Sequence, residues 1–546
     1  MKTINIPAGL IRLTVAVMMT TGMPGAQTYY VDKNHSSASD LNPGTPAQPW
    51  ATIGYAAETL VAGDTVLIRA GVYHESIRIG NHGNATNGFI VFSGYPGEMP
   101  IIDGTDVTDT GNGVIIDKSY IRFDHIEIRH WNDNGMWIEK AAHIEISDCE
   151  VHDVFCGIGF SEGTHDFELN RIAAHHFTLY GFDASPNGSD CYNGTFNDCV
   201  AHTARDPEQN VDGFALGHGT QHDFTLNRCI AYEVYDGFDI SARKSILNSC
   251  LAHDCWNGAY KLWQDQVSLV NCIGYNCTGS VVELDWDGSP GTTTLTNCTF
   301  YNGQTYTVWI ENSMDILHMV NCILAGGDNI GLAFEQMGAE NYQGDYNLFQ
   351  NDNPARGIAV GYEDEFSTTQ IQSGNWTAYS GQDTHSLVTQ SDIGLFVNPC
   401  QADLHLLSGC KAVDHGTGTG APDEDFEGNP RPSGSGYDIG AYEYAGTDII
   451  QTNHGAELPR NPQLHQNCPN PFNPCTTISF ELPRNVFVSL KIYNSLGETV
   501  TTLVSEELQP GTHQYLWQAG ELPGGLHFYR LEADHVMQTG KMLLLK

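Results

Sequence analysis

The sequence is poor in positive charge. Lys and Arg number 24 among 546 residues, against 65 Asp and Glu, which gives a formal net charge of −41 at pH 7. A surface this acidic argues against nucleic acid or an anionic membrane as a partner. It would also repel an acidic polymer unless bound cations reverse the local charge, and Ca²⁺ is the natural cation for so many carboxylates.

Long apolar runs are also missing beyond the N-terminus. No later segment approaches the roughly 20 apolar residues that a membrane-spanning helix needs. The first residues combine Lys2 and Arg12 with the mostly apolar stretch from Leu10 to Met19 and small residues up to Ala26. This pattern is typical of a secretory signal peptide. We therefore predict a signal peptide over residues 1–26 and a soluble, exported mature chain without a transmembrane segment.

The 15 cysteines include no CxxC pair, which argues against a cysteine metal site. Six of them recur at spacings of 30, 21, 22, 26 and 24 residues: Cys199, Cys229, Cys250, Cys272, Cys298 and Cys322. A small residue that recurs in this way predicts a buried column with one member per coil, rather than disulfides. Local disulfides are predicted between Cys400 and Cys410 and between Cys468 and Cys475.

A second column has a similar period. Its members are separated by 32, 24, 22 and 22 residues and are Phe182, Phe214, Phe238, Tyr260 and Val282. Periods in the twenties, with short Val-, Ile- and Phe-rich segments between Gly and Asn, predict a β-solenoid. Successive residues of a strand point to opposite faces. The residues that follow the apolar column should therefore form one exposed column: Asp183, Ala215, Asp239, Lys261 and Glu283.

Both ends of this solenoid resemble those of known proteins. Tyr29-Tyr30-Val31-Asp32 and Gly63-Asp64-Thr65-Val66 resemble the N-terminal cap of pectate-lyase-like β-helix proteins, with Ala56 to Val61 as a capping helix. Asp425 to Arg431 and Asp438 to Glu443 resemble the closing segment of exported bacterial β-helix proteins. The resemblance implies an all-β chain with a right-handed parallel β-helix over residues 28–445.

The C-terminal part of the sequence differs from the solenoid. Residues 446–466 are polar and non-periodic, which indicates a linker. Short alternating strands separated by turn residues then predict a small β-sandwich over residues 467–546. This segment, which opens with Cys468-Pro469-Asn470-Pro471-Phe472-Asn473-Pro474, resembles the type A sorting domains of the type IX secretion system. The resemblance implies a partner in the secretion machinery and a secreted or cell-surface location; a carbohydrate-binding or adhesion sandwich is the alternative.

Three aspartates and a lysine make the most informative cluster. Asp212 and Asp236 occupy equivalent places one coil apart, and Asp239 follows three residues after Asp236. Three carboxylates so close repel one another, at a cost on the order of a kcal/mol per pair near a surface. A hard cation such as Ca²⁺ would relieve that repulsion. Lys261 then lies one coil beyond Asp239 in the exposed column.

These groups suit β-elimination on a uronic acid. A Ca²⁺ ion that bridges the sugar carboxylate would acidify the adjacent proton, and a neutral amine at Lys261 would take it. The cation would lower the pKa of Lys261, whereas Glu283 would raise it. Activity is therefore expected to require alkaline pH.

The order Asp-Gly, Asp-Gly-aromatic-Asp, aromatic-Lys-Leu resembles the pectate lyases of polysaccharide lyase family 9. The resemblance implies that Asp212, Asp236 and Asp239 are calcium ligands and that Lys261 is the catalytic base. Tyr235 stands where that family usually has another Asp. The implied substrate is an acidic polysaccharide, pectate above all, and the mature chain is expected to act as a monomer.

Other roles remain open for these residues. Asp-Gly pairs commonly form turns, so Asp212 and Asp236 also fit a structural role. A glycoside hydrolase of the same fold would use paired aspartates, and a non-catalytic adhesive or binding β-helix needs neither role. Further substrate contacts are predicted at Asp183, His218, His253, Trp263 and Glu283.

Overall fold

The computed structural model describes residues 25–108, 111–184, 190–217, 220–284, 291–311, 316–326, 330–335, 339–351, 353, 355–361, 364–389, 394–444, 461–467, 470, 475–519 and 522–544. The predicted signal peptide lies almost wholly outside these residues, as do His218 and most of the predicted linker. The chain divides into two compact units, a large one that ends near residue 446 and a C-terminal one. Among the described residues, no helix combines the length and apolarity needed to cross a bilayer.

The large unit is a parallel β-solenoid with three thirteen-stranded sheets, counted over the described residues. Each coil contributes one strand to sheet I, then to sheet II, then to sheet III. The strands of sheet I are Thr28–Val31, Thr65–Ile68, Ile90–Gly94, Ile121–Asp124, Ala142–Ser147, His165–Asn170, Tyr192–Asn197, His222–Asn227, Ile246–Asn248, Val267–Val270, Thr292–Thr296, Ile316–Val320 and Tyr342–Asp345.

Sheets II and III complete the coils. The strands of sheet II are Val72–Tyr73, Ile101–Asp103, Glu127–Arg129, Glu150–His152, Ala173–His175, Val200–His202, Ile230–Tyr232, Leu251–His253, Ile273–Tyr275, Thr299–Tyr301, Ile323–Ala325, Leu348–Gln350 and Leu387–Thr389. The strands of sheet III are Ile77–Arg78, Val114–Ile116, Asn134–Glu139, Cys156–Ser161, Tyr180–Asp183, Asp212–Leu216, Phe238–Ile240, Tyr260–Leu262, Val282–Leu284, Tyr306–Ile310, Ile330–Phe334, Ile358–Val360 and Asp364–Phe366.

The predicted register is confirmed in sheet III. Phe182, Phe214, Phe238, Tyr260 and Val282 pair in succession and are buried, and Asp183, Ala215, Asp239, Lys261 and Glu283 pair in succession beside them. The prediction that this second column is exposed is wrong for Asp183, Ala215 and Glu283, which neighbouring parts of the chain bury. The glycine that precedes each of the three phenylalanines is required for steric reasons. A Cβ at Gly213 would lie 2.7 Å from the carbonyl oxygen of Gly237 on the next coil, closer than two such atoms can approach.

Buried polar and sulfur-containing columns fill the corner between sheets I and II. All six cysteines of the predicted column are fully buried free thiols, as expected for a core stack. Each amide of the column Asn197, Asn227 and Asn248 donates to the asparagine one coil earlier at 2.9 Å. These partly buried amides are thereby hydrogen-bonded along the column. Cys410 is also a free thiol, so the predicted disulfide with Cys400 is wrong; Cys468 lies outside the described residues.

The two ends of the solenoid are closed differently. The capping helix spans Ile53–Thr59 rather than Ala56 to Val61, because the Thr52 side chain accepts from the Tyr55 N–H and so fixes an earlier start. At the other end, Asp364–Phe366 pairs antiparallel with Ile358–Val360 and ends the parallel order of sheet III. Helices Thr368–Gln372 and Asn375–Ser380, 3₁₀ turns Ala339–Asn341 and Pro399–Gln401, and the paired strands Phe396–Asn398 and Asp403–Leu406 follow the last coils or lie among them.

The closing segment packs back onto earlier coils. The guanidinium of Arg431 and the carboxylate of Glu443 form an ion pair at 2.6 Å, and both side chains are 0% exposed. Arg431 also donates to Asn271, and Asn297 donates to the carbonyls of Asp438 and Gly440. The closing segment therefore contacts Asn271 and Asn297, which lie on coils beyond Asn248, the last member of the amide column.

The C-terminal unit contains two antiparallel sheets with their own hydrophobic core, in agreement with the predicted small β-sandwich. The sequence did not indicate one of the strands, Thr499–Leu508, because its apolar side chains are few and partly exposed. Gln463–Leu464, within the predicted linker, pairs with the first long strand. The strands of the unit are Gln463–Leu464, Cys475–Leu482, Val486–Tyr493, Thr499–Leu508, Gly511–Gln518, Gly525–Ala533 and Val536–Leu544.

Candidate active site

The candidate site lies where the chain turns from sheet II into sheet III. Asp212 begins a strand of sheet III and is buried, and Asp236 holds the equivalent place one coil later and is fully buried. The Asp212 carboxylate is hydrogen-bonded to the main chain of Asp236, whose N–H donates to Oδ1 of Asp212 at 3.2 Å. The turn and the tight glycine column thus bring both aspartates to one corner.

Asp236 is held by the following coil on one side only. Its Oδ1 accepts the N–H of Gly258 at 2.8 Å and the side-chain amide of Asn257 at 2.9 Å. A Cβ at Gly258 would lie 3.2 Å from the same oxygen, so glycine leaves room for the carboxylate. Oδ2 of Asp236 is buried and has no hydrogen-bond partner among the described residues. An orphaned carboxylate oxygen in a buried acidic cluster is what a missing cation would satisfy.

The electrostatics of the three aspartates agree with this interpretation. Burial, then repulsion by Asp236 and Asp239, raises the pKa of Asp212 well above its usual range. Burial also raises the pKa of Asp236, against the attraction of Lys261. For Asp239, burial and the charge of Asp236 raise the pKa to about 7. Without a cation the cluster therefore favours protonated carboxyls.

Lys261 and Glu283 extend the same column. Asp239, Lys261 and Glu283 are register partners on consecutive coils, which are about 4.8 Å apart. The ammonium nitrogen of Lys261 lies 4.4 Å from the centre of the Trp263 ring. Such a cation–π contact restricts the lysine over the site. Trp263 therefore lies beside the base that the sequence predicted, and Glu283 is buried one coil further.

The remaining predicted residues separate into two groups. Asp183 is buried two coils before Asp239 in the same column. His253 is not near this column. It lies on sheet II, stacked between Tyr232 and Tyr275 with ring centroids 5.0 Å apart, so its predicted contact with substrate at the Lys261 site is wrong.

Two residues of the site were missed from the sequence. Asn257 holds Asp236, and the spacing of one coil from Asp236 to Asn257-Gly258 was a signal that could have identified it. Tyr180 is the register partner of Asp212, and burial followed by the charges of Asp212, Asp183 and Asp239 raises its pKa to about 12. Its hydroxyl is therefore neutral at physiological pH.

The oxygen-rich cluster has the donor chemistry for a calcium ion, although its three carboxylates are not among the groups of described residues whose ligand atoms all lie within 4.8 Å of one another. Asp212, Asp236 and Asp239 offer carboxylate oxygens only, as hard cations prefer. Tyr235, which replaces the fourth aspartate of the related lyases, is partly buried beside them and offers no charge. A buried carboxylate corner with a lysine in register is thus the chemistry-bearing feature of this parallel β-helix.

The chain belongs to the Pel9A-like family of right-handed β-helix proteins. The family model described as "Pel9A-like, right handed beta helix region" matches residues 29–341, which is more than half of the 546 residues. A second model, the "Secretion system C-terminal sorting domain", matches residues 468–545. The C-terminal unit is therefore a type IX sorting domain, which directs the protein to the cell surface or the exterior.

Individual proteins show similarity of fold. The pectate lyase Pel9A is 14% identical with a TM-score of 0.47, over 76% of this chain and 96% of that one. A rhamnogalacturonan lyase is 16% identical with a TM-score of 0.31, over 62% and 84% of the two chains. The uncharacterized protein YwoF of Bacillus subtilis (strain 168) is 38% identical over 137 residues, 23% of this chain and 28% of YwoF. The chain thus spans little more than a quarter of that relative.

Proposed function

We propose that the protein is an exported polysaccharide lyase that cleaves a uronic-acid chain, such as pectate, by calcium-assisted β-elimination. The observation that carries the proposal is the register of Asp239, Lys261 and Glu283 beside a buried carboxylate cluster with an unsatisfied oxygen. Membership of the Pel9A-like family supports the same reaction class.

Each residue of the site has a separate role in the proposed elimination. Asp212, Asp236 and Asp239 would hold Ca²⁺, which supplies positive charge to the uronate carboxylate and so acidifies the proton at C5. Neutral Lys261 accepts that proton as general base. The electron pair of the C5–H bond then forms the C4–C5 double bond, and the C4–O bond to the next sugar breaks. Trp263 holds the lysine side chain over this point.

The pH dependence follows from the protonation state that each role requires. Lys261 must be neutral to act as a base, and Glu283 and the aspartates favour its protonated form. Bound Ca²⁺ neutralises the aspartates and opposes that effect. The rate is therefore expected to rise from neutral to alkaline pH, and the rise should shift to higher pH when calcium is reduced.

The decisive experiment compares two lysine variants. We expect Lys261→Met to lower kcat on polygalacturonate by about 10²–10⁴-fold with little change in KM, because a general base acts in the transition state. Lys140→Met removes an exposed lysine paired with Glu162 and serves as the matched control. The measurement is the ultraviolet absorbance of the unsaturated product, with calcium and with chelator.

Three outcomes separate the candidate functions. A calcium-dependent rise lost only in Lys261→Met supports the lyase. New reducing ends without unsaturated product would instead support a glycoside hydrolase, for which an aspartate with a pKa of about 7 would be a suitable general acid. Retained polymer binding without either product would indicate a binding scaffold.

A further inference from the structure

The outer face of sheet II carries a column of stacked rings, one per coil, on a different sheet from Asp239 and Lys261. Neighbouring ring centroids lie 4.7–5.0 Å apart and the rings are nearly parallel. The members of this ring column are His152, His175, His202, Tyr232, His253 and Tyr275. Four of the six are imidazoles, which are the commonest transition-metal ligands in proteins.

In the column two residues before the rings, carboxylates occur at the first coils only. The column two residues earlier on each strand begins with Glu127 and Glu150 and continues with Ala173, Val200 and Ile230. Glu127 and Glu150 therefore lie beside His152 and His175, whereas the later rings have small or apolar neighbours. This distribution confines any metal-binding donor set to the coils of His152 and His175.

The hydrogen bonds of the two imidazoles direct the same nitrogen of each toward the glutamates. Nδ1 of His152 lies 2.8 Å from a carboxylate oxygen of Asp153 and so donates to it. Nδ1 of His175 lies 2.6 Å from Nδ1 of His176. Nε2 of His152 lies 3.3 Å from a Glu127 oxygen and Nε2 of His175 lies 2.9 Å from a Glu150 oxygen. Without an ion, Nε2–H of His175 donates to Glu150, and a bound metal would take the place of that proton.

This arrangement resembles a ligand shell prepared for a cation. Metal-ligating histidines characteristically donate their other ring nitrogen to a carboxylate or another acceptor, which fixes the tautomer and the ring orientation. Asp153 is itself held by Arg205 at 2.8 Å. The neutral imidazole is the form in which histidine binds a metal. The His152 and His175 side chains are 14% and 15% exposed, which leaves a path for an ion.

We propose that Glu150, His152 and His175 form a binding site for a transition-metal ion of the Zn²⁺ class. The ligand atoms that these residues offer all lie within 4.8 Å of one another. The two rings need a small tilt toward each other for both lone pairs to meet one ion, and the broad χ2 preference of histidine permits it. Two imidazoles and one carboxylate select Zn²⁺, Ni²⁺ or Cu²⁺ over Ca²⁺.

The site would join two successive coils, because Glu150 and His152 belong to one strand and His175 to the next. Its role is therefore to clamp the solenoid, separately from the elimination chemistry on sheet III. A second group, Asp124, His125 and Asp148, provides the contrast. There Asp148 is paired with both sides of the Arg171 guanidinium at 2.6 Å, so its charge is already neutralised.

The test is metal binding by the full exported chain, purified without a histidine tag and in excess Ca²⁺. We expect calorimetry to show one Zn²⁺ ion per chain, and added Co²⁺ to give a visible absorption band. His175→Ala, His152→Ala and Glu150→Gln should each weaken Zn²⁺ binding by at least about tenfold and remove the Co²⁺ band. His125→Ala, in the contrasting group, should change neither.

The Glu150→Gln variant is expected to fold as the wild type does, because the Glu150 side chain is 45% exposed and the substitution keeps its size. A loss of Zn²⁺ binding in this variant would therefore not be explained by misfolding. Zn²⁺ should raise the thermal midpoint of the wild type and not that of Glu150→Gln. The proposal fails if Glu150→Gln and His175→Ala bind Zn²⁺ as the wild type does, or if His125→Ala weakens binding equally. Loss of Lys261-dependent lyase activity would not bear on it, because the readout is metal binding in the presence of Ca²⁺.

Discussion

The two carboxylate oxygens of Asp236 have different surroundings. One of its oxygens accepts two hydrogen bonds from the next coil, and the other is buried without a partner among the described residues. The free energy lost at the second oxygen is recovered only when a cation binds. We therefore expect Asp236 to contribute more to the proposed calcium site than to the fold.

Asp236→Asn separates those two contributions. The amide oxygen can still accept from Asn257 and Gly258, and loss of the charge removes repulsion with Asp212. We expect the calcium-free thermal midpoint to rise, while calcium affinity measured by calorimetry falls by about 10–100-fold. A variant that binds calcium as the wild type does would contradict the assignment of Asp236 as a ligand.

The raised pKa values also predict how stability depends on pH. A carboxyl with a higher pKa in the folded state binds its proton more tightly there, so stability falls as pH rises from the unfolded value near 4 to the folded value. For Asp239 the folded value is about 7. In chelator, the thermal midpoint should therefore fall by about 5 °C between pH 4 and pH 7. Saturating Ca²⁺ should flatten the decline at neutral pH, and identical profiles with and without Ca²⁺ would count against the site.

Among the elements, the strands of sheet III were predictable and the corners were not. A strand register depends on a local pattern. The aromatic residues at 182, 214, 238 and 260 determine which residues of neighbouring strands pair with one another. That pattern placed Asp239, Lys261 and Glu283 correctly. Asn257 and the ring column of sheet II were missed, because their importance arises from contacts between coils rather than from periodicity along one strand.

The closing segment shows why other features were beyond prediction. Arg431 contacts Asn271, and Asn271 donates to the carbonyl of Glu424, 153 residues away in the sequence. Sequence resemblance identified the segment, but no local pattern indicated which coil it would meet. The extra strand of the C-terminal unit was missed for the opposite reason, a weak apolar alternation.

The Arg431→Met variant tests how much the ion pair of the closing segment contributes to the free energy of unfolding. Removal of the guanidinium leaves Glu443 ionised, buried and unpaired, which costs about 3–5 kcal/mol. We expect a lower thermal midpoint by calorimetry, and the double variant Arg431→Met/Glu443→Gln should recover much of the loss. A double variant as unstable as the single one would mean that packing, not charge, dominates there.

At the scale of the whole molecule, the β-helix and the sorting domain have separate hydrophobic cores. Removal of residues 447–546 should therefore leave the β-helix folded. We expect the truncated chain to keep its kcat on polygalacturonate within about twofold and to lose export, measured by activity of the purified protein and by its cellular location. A truncated chain that folds but has lost activity would show that the C-terminal unit contributes to catalysis.

The tight glycine column constrains how the solenoid can change over evolutionary time. Because each glycine lies against the main chain of the next coil, an insertion of a few residues within a strand would shift every later side chain to the wrong face. A duplicated or deleted whole coil preserves the register on both sides. In-frame gain or loss of about 22 residues, the period of the later coils, is thus the step by which this scaffold can lengthen or shorten its outer surface without disturbing its core.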